Sequence, residues 1–329
     1  GKKSFTVNLK HPEGKALFLR LVESADIVVE NFRPGVMNRL DVGYETLKAV
    51  NPTLIYCAIS GFGQDGPWVD RPAYDQIIQG ASGVMSITGD TDSAPLRVGY
   101  PVADTVGGIT AAFAITSALN SSPRGAFIDV SMLESVLATM GWAVSNYLIA
   151  GVEPTANGNE NMTSAPSGTF NAMGGPINIA ANKDEQWVLL TNHLGLASLQ
   201  DLPEYATRED RKRNRLALRA ELEAVLKTRP AQDWAQELNT VGVPCGVVLS
   251  VPEVLQTPQV ADRGFLHAFK DVPGVGRDIQ VVTTGIKIDG ITPTVKTPPP
   301  LLGQHNAAIC AELGLSQAEL DRLTKDGAI

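Results

Sequence analysis

Two short apolar runs, each preceded by helical periodicity and each closing on a turn, constrain this chain more than any other feature. Asp26-Ile27-Val28-Val29-Glu30 stops at Asn31-Phe32-Arg33-Pro34-Gly35, and Thr53-Leu54-Ile55-Tyr56-Cys57-Ala58-Ile59 stops at Ser60-Gly61-Phe62-Gly63. Pro12 stands where a first helical residue is tolerated, and Leu17, Phe18, Leu21 and Val22 then recur on one face. A short helix is expected around Glu45 to Val50. Short, fully apolar strands interleaved with helices belong to a parallel sheet covered on both sides. Such sheets bind ligands beyond the carboxyl ends of their strands. The segments Asn31 to Gly35 and Ser60 to Gly66 lie there, where simple chain reversal is the competing reading of both. Neither holds a dinucleotide or Walker-type glycine pattern, so those nucleotides are not indicated.

Further along, Gly80 to Gly99 is rich in Gly, Ser and Thr. Tyr100 to Asp104 then opens a helix of small residues, Thr105 to Phe113, suited to close packing. Strand Ala126 to Val130 leads to a helix in which Leu133, Val136, Leu137, Met140, Val144 and Leu148 keep the 3.6 period. Ser131 with Glu134 fits a capping box there. The greasiest stretch, Ser135 to Val152, contains Thr139, Ser145, Asn146 and two glycines. It reads as a buried core helix and not as a membrane span. Asn157 to Gly168 is turn-like and reads as a linker. Ile177 to Ala181 and Trp187 to Leu190 are strand-like runs expected to form a hairpin around Asn182-Lys183-Asp184-Glu185. Helices are expected from about Arg208 to Lys227 and from Ala231 to Asn239. The basic cluster Arg208, Arg211, Lys212, Arg213, Arg215 and Arg219 reads as a solvated face among interspersed acids.

Composition narrows the function. With 27 Lys and Arg against 35 Asp and Glu, the net charge is −8, which argues against nucleic acid as the main partner. Cys57, Cys245 and Cys310 lack any paired spacing, so they suggest thiols of a reducing compartment, not disulfides or structural zinc. His11, His193, His267 and His305 show no metal-ligand spacing, and neither a zinc-protease helix motif nor a serine elbow occurs; no metal site is expected. No secretory signal pattern opens the chain. Asp104 is the carboxylate that stands out. Flanked by Pro101, Val102, Ala103, Val106, Gly107 and Gly108, it has open access at a helix N-terminus, whose free amides and dipole favour the ionised form. These features suit a plain N-cap first and a carboxylate nucleophile second.

Ala25 to Gly35, continuing through Arg39-Leu40, Asn51 to Tyr56 and Ser60 to Gly63, resembles the family III CoA-transferases, the group of formyl-CoA transferase and carnitine CoA-transferase. Lys10 to Lys15, Asp104-Thr105-Val106-Gly107-Gly108, Ile128 to Met132, Ala165 to Phe170, Gly242 to Gly246 and Pro300 to His305 match in the family's order, over nearly the whole chain. The resemblance implies a Rossmann-like α/β large domain with a parallel sheet, a smaller α+β domain and an interlocked homodimer. It places the large domain at residues 1–150 with a return at 291–329, a linker at 151–168 and the small domain at 169–290. It also implies that Asp104 attacks a donor acyl-CoA, giving a mixed anhydride and then an aspartyl-CoA thioester, from which a small carboxylic acid takes the CoA. Coenzyme A and acyl-CoA enter as substrates, and no permanently bound cofactor is expected.

The family's CoA-contacting positions fall on Val7, Lys10, Asn31, Phe32, Arg33, Arg39, Pro72, Ala73, Tyr74 and Asp75. Lys10, Arg33 and Arg39 suit phosphates, and Phe32 suits the adenine or the pantetheine arm. Ordinary surface charge is the competing reading of Lys10 and Arg33. The related α-methylacyl-CoA racemases place a His where Tyr74 stands. A phenol, with an ordinary pKa of about 10, is a poor base at neutral pH, which favours transfer over racemisation. A non-catalytic acyl-CoA-binding protein is a third reading. The family's glycine-rich active-site loop has no counterpart beyond Gly174-Gly175. Family members begin with a strand, helix and strand, so a segment preceding Gly1 is expected. With the acidic balance, the polar residues of the greasiest stretch and the unpaired cysteines, a cytoplasmic protein that engages neither nucleic acid nor membrane is expected.

Overall fold

Helix and strand alternate along the first 150 residues as the two apolar runs require. The computed structural model describes residues 1–329. It shows α1 (Pro12–Glu23), β1 (Ile27–Glu30), α2 (Val36–Arg39), α3 (Tyr44–Val50), β2 (Ile55–Ser60) and α4 (Asp75–Ala81). There follow α5 (Val102–Leu119), β3 (Ala126–Ser131), α6 (Met132–Thr139) and α7 (Trp142–Ala150). The three strands form one parallel sheet in the order β1-β2-β3, with Ile27 beside Ile55 and Ile55 beside Ala126.

β2 is apolar on both faces because both are covered. Tyr56 and Ala58 pack with Met37, Val42, Leu47 and Leu54, while Cys57 packs with Ala111 and Val130 on the other side. Each large aliphatic side chain buried there contributes about 1.5–3 kcal/mol, and a one-residue slip would exchange the two faces. α5 seats on this sheet through the small stripe Ala103, Gly107 and Ala111. A Cβ on Gly107 would stand 3.1 Å from Met132 Cγ, so the glycine permits the close approach of α5 and α6. By length and composition α5 is also long and apolar enough to cross a membrane.

The expected single helix from Ser135 to Val152 is two helices. Gly141 (φ +43°) breaks the chain between α6 and α7, so apolar positions that keep one period along the sequence do not share one face. α7 buries no residue and leaves Trp142, Tyr147, Leu148 and Ile149 exposed.

The chain divides into two compact units, one of residues 1–85, 97–154 and 258–329, the other of residues 86–96 and 155–257. Two segments fall outside the boundaries drawn from sequence. Residues 86–96 join the second unit, where the Gly158 N–H donates to the Gly89 carbonyl at 2.6 Å. Residues 258–290 join the first, where the hairpin β7 (Leu266–Val272) and β8 (Arg277–Val282) is followed by ties across position 291. Ile288 pairs with Ile291, and the Thr292 hydroxyl donates to the Arg263 carbonyl at 2.9 Å.

The second unit holds an antiparallel sheet, β4 (Ser167–Ala172), β5 (Gly175–Ala180) and β6 (Cys245–Val247), with α8 (Asp184–His193), α9 (Arg208–Arg213), α10 (Arg215–Leu226) and α11 (Ala231–Thr240). Trp187 to Leu190 is helical, contrary to the expected hairpin. Asp184 and Glu185 occupy a first turn, the Gln186 side chain accepts from the Lys183 N–H at 3.1 Å, and Trp187, Leu190, Thr191 and Leu194 are buried at helical spacing. The hairpin is instead β4–β5, so Gly174-Gly175 is a strand connection, with Gly174 at φ +82°. The basic cluster is only partly a solvated face. Arg211 is buried, donating to the carbonyls of Ala165 (3.0 Å) and Tyr205 (3.2 Å) and lying over the Trp187 ring, while Arg215 and Arg219 pair with Glu160.

At the end of β2, Gly61 has no room for a side chain, since a Cβ would stand 2.3 Å from the Ala73 Cβ and 3.2 Å from Ile78 Cδ1. Gly61→Ala is expected to lower the unfolding free energy by about 1–3 kcal/mol, read from the urea midpoint; a change within about 0.5 kcal/mol contradicts this packing.

Candidate active site

The carboxyl ends of β1 and β2 and the start of α5 surround one cleft of about 540 Å³ in the first unit. Asn31, Phe32 and Arg33 follow β1, Ser60 and Gly61 lie at the end of β2, and Arg71, Ala73 and Tyr74 precede α4; all of them share the cleft with Asp104. The turn after β1 is held by its own polar groups. The Asn31 amide donates to the Ile59 carbonyl at 2.7 Å, tying the ends of β1 and β2 together, and the Phe32 N–H donates to the Glu30 carboxylate at 2.6 Å. Glu30 is partly buried, and desolvation raises its pKa against the lowering effect of the Phe32 N–H and the Tyr56 hydroxyl.

Asp104 lies in the first turn of α5 but is not its N-cap. Pro101 holds that position, and no side chain caps the helix locally. The cap comes from another helix: Asp75, buried at the start of α4, accepts the Ala103 N–H at 2.8 Å and the Gln79 amide at 2.6 Å. Gln79 in turn accepts the Val98 N–H at 2.9 Å, and Arg97 approaches Asp75 at 4.0 Å. Asp104 therefore keeps solvent access in the cleft while Asp75 takes over the capping.

The expectation that the helix N-terminus favours an ionised Asp104 is outweighed. Desolvation raises its pKa, and the negative charge of Asp75 raises it further. The folded protein thus holds this proton more readily than the unfolded chain. Its stabilising effect is present below the ordinary pKa and fades as pH rises through the raised one. Opposite charge comes from elsewhere in the cleft, where Arg33 and Arg71 line the wall and Arg71 lies 4.4 Å from the Trp68 ring centre.

Of the sequence-derived positions, Asn31, Phe32, Arg33, Ala73, Tyr74 and Asp104 line the cleft together. Val7, Lys10, Arg39, Pro72 and Asp75 are not among its lining residues. Val7 and Lys10 stand in the irregular segment before α1, Arg39 ends α2 with its guanidinium beside Gly35, and Pro72 is exposed. Asp75 is buried because it caps α5, a partner 28 residues away that no local pattern reveals. Sequence reading missed Arg71 and Ser60, although Ser60 opens a segment singled out by its place beyond a strand end and Arg71 stands next to Pro72, a position the resemblance marked.

The family model of CoA-transferase family III matches residues 1–306. The acetyl-CoA:oxalate CoA-transferase of Acetobacter aceti is 38% identical over 324 residues, covering 97% of this chain and 82% of that protein. The succinate–glutarate CoA-transferase of Agrobacterium fabrum is 36% identical over 321 residues, covering 95% and 78%. A solved CaiB/BaiF family protein from Brucella suis superposes with a TM-score of 0.84 at 36% identity, covering 95% of this chain and 82% of that one.

Asp75→Ala is expected to cost about 1–3 kcal/mol in urea unfolding by leaving the Ala103 N–H unpaired and removing one of the two acceptors of the Gln79 amide. In ¹³C carboxyl titrations it should also lower the Asp104 midpoint, which in the parent protein lies above the ordinary value of about 3.9. A parent midpoint at or below that value contradicts the electrostatic account.

Proposed function

This chain belongs to CoA-transferase family III, and from that premise we propose that it exchanges CoA between an acyl-CoA and a small carboxylic acid through Asp104 as nucleophile. The observation that carries the reading is the position of Asp104, solvent-accessible in the cleft and released from capping by Asp75. In the first step the Asp104 carboxylate attacks the thioester carbonyl and CoA leaves as thiolate, forming a mixed anhydride. The thiolate then attacks the aspartyl carbon, expelling the donor acid and leaving an aspartyl-CoA thioester. An acceptor carboxylate attacks that thioester, giving a second anhydride and free thiolate. Attack of the thiolate on the acceptor's acyl carbon forms the new acyl-CoA and restores Asp104. Covalent catalysis here divides one difficult exchange into easier steps.

Arg33 and Arg71 supply positive charge for anionic groups of CoA or of the acceptor, and Phe32, half exposed, supplies an apolar face for the CoA arm. Relatives named for oxalate and for succinate and glutarate make small dicarboxylic acids the first acceptors to test. An interlocked homodimer and a cytoplasmic site of action complete the reading. The exposed aromatic and aliphatic side chains of α7 favour an assembly that covers them.

Asp104→Ala is expected to lower succinyl-CoA- or acetyl-CoA-dependent transfer by about 10³-fold or more, with CoA esters followed by mass spectrometry. Hydroxylamine added during turnover should convert Asp104 of the parent protein to its hydroxamate. Transfer at the parent rate in the variant, or hydroxamate on another residue, overturns the assignment.

A further inference from the structure

Ser60 ends β2 and is 4% exposed, yet its hydroxyl has no hydrogen-bond partner in the protein. The other three buried serines of the first unit are all satisfied. Ser82 donates to the Gln79 carbonyl at 3.2 Å, Ser131 accepts the Glu134 N–H at 3.3 Å, and Ser135 donates to the Ser131 carbonyl at 2.8 Å. A desolvated hydroxyl left unpaired is unfavourable, and such groups in native proteins call for a specific partner. Ser60 differs from the others in its place: it lines the cleft that holds Asp104.

The backbone gives this hydroxyl a fixed position. Ile59 is tied to the Asn31 amide, and the Gly61 carbonyl accepts the Leu133 N–H at 3.0 Å. Gly61 itself is wedged against Ala73 and Ile78. Ser60 is therefore held between two anchored residues at the carboxyl end of a central parallel strand, where ligands of such sheets bind. The neighbouring cations Arg33 and Arg71 suit anionic groups, whereas a compact neutral hydroxyl suits a neutral oxygen.

Resting on the acyl-CoA reading of this cleft, we infer that Ser60 is a substrate-binding residue whose hydroxyl donates a hydrogen bond to a carbonyl oxygen of the acyl-CoA arm. Two kinds of carbonyl share that chemistry, the thioester and the pantetheine amides.

Calorimetric titration of the full chain with free CoA and with a non-transferable acyl-CoA tests this, alongside thermal unfolding of the ligand-free protein. Ser60→Ala should weaken acyl-CoA binding by about five- to tenfold, the worth of one hydrogen bond, with the melting temperature unchanged or raised. Weakening toward both ligands assigns the partner to a pantetheine amide, and weakening toward acyl-CoA alone assigns it to the thioester. Parent-like affinity for both ligands overturns the inference, as does a lowered melting temperature, which would mean that the hydroxyl has an internal partner. Failure of the parent protein to bind either ligand overturns the acyl-CoA reading itself, and this inference with it.

Discussion

The site depends on one hydrogen bond between helices. Asp75 at the start of α4 accepts the Ala103 N–H, one of the free donors that every helix presents at its N-terminus. α5 would otherwise begin with Pro101 as its cap and no side chain to satisfy it. Because Asp75 meets that need, Asp104 one residue further on is left free to face the cleft. The same carboxylate lies close enough to raise the Asp104 pKa, so one buried group both positions the nucleophile and tunes its basicity. In its ionised form, a carboxylate whose pKa is raised is a better nucleophile than an unperturbed one.

The sheet provides the rest of the framework. Asn31 links the ends of β1 and β2, and Gly61 lets the chain after β2 press against Ala73 and Ile78. The segments beyond both strands and the start of α5 thereby form walls of one cleft with little freedom to move independently. On α5 the stripe Ala103, Gly107 and Ala111 makes the helix approach the sheet closely, which brings its first turn down to the level of the strand ends.

Much of this was legible in the sequence, and the exceptions have physical causes. The parallel sheet followed from the apolar runs at Ile27 and Ile55, and the location of the cleft followed from their turns. The role of Asp75 was hidden because its partner lies 28 positions away, and local patterns carry no information about tertiary caps. Trp187 to Leu190 looked like a strand because a short apolar run fits either period; the acidic first turn at Asp184 and Glu185 was the signal that decides for helix. Gly141 broke an expected long helix because a period says nothing about a single residue able to adopt positive φ. Arg211 looked like surface charge, since neither its carbonyl acceptors nor the Trp187 ring beneath it can be read from a basic cluster.

The claim that Asp104 carries the acyl group is tested most directly by following oxygen. With an acceptor acid labelled with ¹⁸O in its carboxylate, each complete cycle transfers one labelled oxygen to the nucleophile, because the bridging oxygen of the second anhydride stays behind when CoA leaves with the acceptor's acyl group. After a single turnover and proteolysis, the peptide containing Asp104 should be heavier by about two mass units, rising toward about four over repeated cycles as both carboxylate oxygens exchange, with the label localised to that residue by fragmentation. Formation of the new acyl-CoA without label on Asp104, or with label on another residue, would contradict the account.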